Sequence, residues 1–62
     1  MALITTPNIS DPDGFYADLI ALHEGLDEAD SHALNARLVL ILANHIGDRG
    51  ALAEALELAK KA

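Results

Sequence analysis

The chain has no cysteine among its 62 residues, so neither a disulfide nor a thiolate zinc site can stabilise it. Basic residues are scarce: four, against ten acidic, for a formal net charge of -6. Four cations cannot form a stripe that tracks a phosphate backbone, so no nucleic-acid partner is expected. The same charge disfavours an anionic membrane surface. Long apolar runs are missing too. A membrane-spanning helix needs about 18 such residues, whereas the run Leu38-Val39-Leu40-Ile41-Leu42-Ala43 is closed on either side by Arg37 and Asn44. No basic region followed by an apolar stretch opens the sequence, which predicts no secretory signal and a cytoplasmic location. There is no internal repeat and no low-complexity tract.

A single core is marginal at this length. Folding to a compact globule would remove roughly 5,700 Å² of surface. With about 60% of that apolar, burial contributes about 80 kcal/mol at ~25 cal/mol/Å². Ordering the chain costs about 80 kcal/mol at ~1.5 kcal/mol per residue. The two terms cancel, and with no disulfide or structural metal the expected supplement is oligomerisation or a partner protein.

What the chain does have is helical periodicity. Met1 to Ser10 shows none: Pro7 and Asn8 break it, and Thr5 and Thr6 favour extended backbone. Leu3, Ile4 and Ile9 are nevertheless apolar, which predicts an N-terminal arm over 1–10 lying against a surface. Residues 11–62 read as one three-helix domain. Asp11, Pro12 and Asp13 are a helix start, and the first helix is expected from Pro12 to about Glu24, closed by Gly25. Phe15, Leu19, Leu22 and Leu26 form one apolar seam of it, with Tyr16, Ile20 and His23 beside them. Asp27 caps a long second helix ending at Gly47. Asp48 caps a third, from about Arg49 to Lys60, with Leu52, Ala55, Leu56 and Ala59 expected inward.

The second helix is apolar all round at its centre, because six successive helical positions point in every direction. A turn of 100° per residue resolves three seams. Ala29, Ala33, Ala36, Leu40 and Ala43 form a small-residue seam that admits close approach of another helix. Leu34, Leu38, Ile41 and His45 form a second, and Asn35, Val39, Leu42 and Ile46 a third. The remaining stripe, Asp30, Arg37 and Asn44, is expected to be the wettest. Two flanking helices can cover two seams only. The expected protein interface is therefore Leu34, Asn35, Leu38, Ile41, Leu42 and His45, serving a homo-oligomer (a dimer) or a larger protein partner.

Chemistry-bearing residues form no motif. His23, His32 and His45 have no second strong ligand at i+3 or i+4, Glu28 with His32 being only a weak pair, so no metal site is expected. No carboxylate or nucleophile is placed to make any of the three catalytic. Asp11, Asp27 and Asp48 are explained as helix caps. The stretch Asp11-Pro12-Asp13-Gly14 lacks the further oxygen ligands of a calcium loop. Asn35 is a poor helix former among apolar neighbours. Either it sets register across an interface, as polar residues do in coiled coils, or it lies in water.

The run Thr5-Thr6-Pro7-Asn8-Ile9-Ser10-Asp11-Pro12-Asp13-Gly14-Phe15-Tyr16, followed by Leu22-His23-Glu24-Gly25-Leu26, Ser31-His32-Ala33-Leu34-Asn35-Ala36-Arg37-Leu38 and Leu42-Ala43-Asn44-His45-Ile46-Gly47-Asp48, resembles an uncharacterised family of short bacterial proteins, a domain of unknown function. The family is loosely associated with flavin-dependent aromatic hydroxylases. The resemblance implies an accessory role in aromatic catabolism and transfers no catalytic residue. The expectation is an all-α, non-enzymatic interaction protein without a cofactor: a homodimeric module, or a small accessory subunit of a larger enzyme. The alternative is a small-ligand-binding protein with Tyr16, His23 and His45 lining a pocket between helices.

Overall fold

The computed structural model describes residues 2–62; Met1, the first residue of the expected arm, lies outside them. Three helices account for the regular structure among the described residues: α1 (Pro12–His23), α2 (Glu28–Ile46) and α3 (Arg49–Lys61). The fold is all-α, as periodicity predicts.

Each helix begins at an aspartate whose carboxylate satisfies an otherwise unpaired backbone N–H. Asp11 Oδ1 accepts from Gly14 N–H at 3.2 Å, Asp27 Oδ1 from Asp30 N–H at 2.8 Å, and Asp48 Oδ2 from Ala51 N–H at 2.8 Å. α1 ends one residue before the expected Glu24, which turns to extended backbone. Gly25 then takes φ 79° to redirect the chain. Gly47 closes α2 at φ 71°, its N–H donating to the Ala43 carbonyl at 2.9 Å. The links are short, residues 24–27 and then Gly47 with Asp48.

Residues 2–10 form no helix or strand. This segment reaches α3, where Leu3 N–H donates to Glu54 Oε2 at 2.8 Å. Leu3, Ile4 and Asn8 then share a cavity of about 190 Å³ with Ile46, Ala51, Leu52 and Ala55.

The helices pack loosely. The radius of gyration is 13.2 Å, against roughly 10.6 Å for a compact domain of this length. Accessible surface is 5373 Å², against roughly 3,900 Å² for a compact monomer of this mass. Among the described residues Ala51 alone is buried.

Several inward expectations are corrected accordingly. Leu56 is 72% exposed, and Ala59 is exposed as well. α3 half-buries Leu52 and Ala55, and Leu56 stands at the rim of the groove that they share with α2. Beyond Gly14 in the first turn, the half-buried residues of α1 are Leu19 and His23, one from each seam, so the packed face runs between the two seams. Phe15 and Leu22, both on the first of those seams, are 44% and 51% exposed. Among the described residues no helix covers the small-residue seam of α2 over Ala29, Ala33 and Ala36, which are all exposed. Half-burial on the N-terminal part of α2 falls instead on Ser31, Leu34 and Leu38. This is the stripe beside Asn35, where His23 ties α1 down.

Candidate functional site

The tie between α1 and α2 is made by one imidazole. His23 Nδ1 donates to the Leu19 carbonyl at 2.8 Å, one turn back on the same helix. A carbonyl only accepts, so this nitrogen carries a hydrogen. Nε2 meets Asn35 Oδ1 at 2.8 Å. Asn35 therefore has a partner inside its own chain, which neither sequence expectation for it foresaw. Its amide suits both forms of the ring: the oxygen accepts from a protonated Nε2, and a half-turn would offer NH₂ to a bare one.

With both nitrogens engaged, His23 is committed to holding α1 in place. Tyr16 is 64% exposed and His45 is exposed, so neither is enclosed with it.

The largest unmet demand for contact lies elsewhere, along the C-terminal half of α2. Val39, Leu40, Leu42, Ala43 and Ile46 from α2, with Leu52, Ala55 and Leu56 from α3, line an open groove of about 430 Å³ whose walls are wholly apolar. Val39 is 62% exposed and Leu40 70% exposed. A leucine kept in water forgoes most of the roughly 1.5–3 kcal/mol its burial would contribute. Gathered in one groove, such residues form a continuous exposed apolar patch.

The six expected interface residues lie in different surroundings. Leu42 lines the groove. Asn35 is bonded to His23. Leu34 and Leu38 are half-buried within the chain, while Ile41 at 65% exposure and His45 lie open on the side of α2 away from the groove. Val39, Leu40, Ile46 and Leu56 are the exposed groove residues that the expected set omits. The signal for the first two was the unbroken run 38–43. Leu56 carried none, because on its own helix it reads as an ordinary inward leucine.

Among the described residues no three His, Asp or Glu side chains converge as metal ligands would. No helix of the described chain is long and apolar enough to cross a membrane. No curated protein and no solved structure matches the chain. The sequence profile of the family described as protein of unknown function DUF2783 matches residues 3–61, nearly the whole chain, and the protein belongs to that family.

Proposed function

We propose that this chain is a non-enzymatic helical interaction module whose core is completed by another polypeptide, either as a homodimer or as a small accessory subunit of a larger enzyme. One observation carries the reading: a chain rich in leucine and isoleucine buries only Ala51 among its described residues while Val39, Leu40, Ile41 and Leu56 stand more than 60% exposed. An isolated domain of this size gains its stability from burial, so this surface requires cover. The resemblance to proteins associated with flavin-dependent aromatic hydroxylases makes such an enzyme the first hetero-partner to try.

Thermal unfolding followed by circular dichroism tests the reading. For a module completed by association, the melting temperature rises with protein concentration, or rises only when the partner is added. A cooperative transition with the same midpoint over a hundredfold range of concentration, in a chain that sediments as a monomer, would overturn it.

A further inference from the structure

Resting on that reading, we propose that the polypeptide covering α2 is a second copy of this chain, packed antiparallel about a two-fold axis level with Leu38.

The face is self-complementary under such an axis. Ala33, Ala36, Leu40 and Ala43 follow one another at intervals of three, four and three, a palindromic spacing. In an antiparallel pair centred on Leu38, Ala36 lies opposite the partner copy's Leu40 and Ala33 opposite its Ala43. A two-fold interface requires this reciprocity, residue i meeting j while j meets i. Size is complementary as well. The N-terminal half of α2 presents exposed alanines, which allow close approach. The C-terminal half presents the apolar groove flanked by Leu40 and Leu56. The axis lays the narrow half of each helix into the groove of the other.

Area and charge agree with this occupant. The chain exposes about 1,500 Å² more than a compact monomer of its mass, and pairing that recovered this excess on both copies would bury about 3,000 Å² in total. That falls within the roughly 2,000–5,000 Å² of obligate homodimers. Two chains of net charge -6 repel, yet no aspartate or glutamate occurs between Asp30 and Asp48. The acids are confined to the ends of α2 and to the other elements, leaving the pairing face free of them.

Because the chain has no cysteine, single thiols report the geometry directly. Ala33→Cys and Ala43→Cys chains are refolded separately and as a mixture, oxidised mildly, and read on a non-reducing gel. Positions 33 and 43 are roughly 15 Å apart along a helix, so in the proposed pair two identical variants hold their thiols well beyond the ~7 Å reach of a disulfide. The mixture alone brings 33 opposite 43. The expected result is a covalent dimer in the mixture and none in either variant alone. Self-linking of each variant would mean parallel helices and overturn the proposal, and so would the absence of any covalent dimer.

Sedimentation equilibrium of the unmodified chain is expected to give a dimer. A monomer overturns the second copy as occupant. If that monomer also melts cooperatively at a concentration-independent midpoint, the interaction-module reading falls with it. If it melts without cooperativity until another purified protein is added, the module reading stands and only the second copy is lost.

Discussion

His23 Nε2 lies 2.8 Å from Asn35 Oδ1, joining the last turn of α1 to the second turn of α2 across twelve residues of sequence. This is the one side-chain hydrogen bond among those described that links two helices, and it converts an asparagine that looked misplaced into the clasp of a helical hairpin. His23→Ala and Asn35→Ala are each expected to lower stability by about 1 kcal/mol, the usual net worth of such a bond. The double variant is expected to cost less than the two single losses added together. Denaturant unfolding of all four chains at one protein concentration measures this. Strict additivity would mean that the two side chains do not interact in solution.

Ala36 is exposed on α2, so nothing within the chain resists a larger side chain there. Ala36→Leu is expected to leave helix content unchanged and to weaken self-association by about 1–3 kcal/mol through overpacking, roughly ten- to a hundredfold in dissociation constant. Sedimentation velocity against concentration reads the shift. Unaltered association would place Ala36 outside the interface.

Salt separates two kinds of partner. Copies of net charge -6 repel one another at long range, and raising the salt from about 0.05 M to about 0.5 M shortens the Debye length from about 14 Å to about 4 Å. Self-association is therefore expected to tighten with salt. A dimer that loosens over that range would be held by ion pairs rather than by the apolar groove.

Gly25 and Gly47 hold positive φ, at 79° and 71°. A Cβ would meet no atom within 4 Å at Gly25 and only the Asn44 carbonyl, at 3.7 Å, at Gly47. The cost of Gly→Ala at either position is thus conformational, about 1 kcal/mol. Asparagine tolerates this region better and is expected to cost less than alanine at both sites. Thermal melts of the four variants test the ranking. A harmless Gly25→Ala would mean that the α1–α2 turn relaxes to negative φ.

The arm is held at Leu3, whose N–H donates to Glu54 Oε2 at 2.8 Å. Glu54→Ala is expected to speed amide exchange at Leu3 and cleavage of the arm by an added protease, with α3 helicity unchanged. Equal protection in variant and parent would show that the apolar contacts around Leu3 and Ile4 suffice to hold it.

Helix positions and ends were determined by local chemistry that one sequence displays in full. An aspartate precedes each helix because its carboxylate bonds the backbone N–H three residues on. A glycine follows each of the first two because the reversing turn requires positive φ. None of this depends on what lies across space. The apolar run Leu38 to Ala43 likewise announced a helix in need of cover, since consecutive helical residues cannot all face one neighbour.

Tertiary structure alone decided which seams the chain covers for itself. Leu34, Ala36 and Leu40 all lie on α2 as candidates for burial, and periodicity ranks none above the others. The short turn at Gly25 and the His23–Asn35 bond bring α1 onto the Ser31–Leu34–Leu38 stripe. The two-residue link of Gly47 and Asp48 folds α3 back beside Ala43. The alanine seam and the Leu40–Leu56 groove are left open as a consequence. Burial depends on the direction from which a neighbour arrives, and those directions are set by two short turns and the hydrogen bond between α1 and α2 rather than by any repeat along the helix.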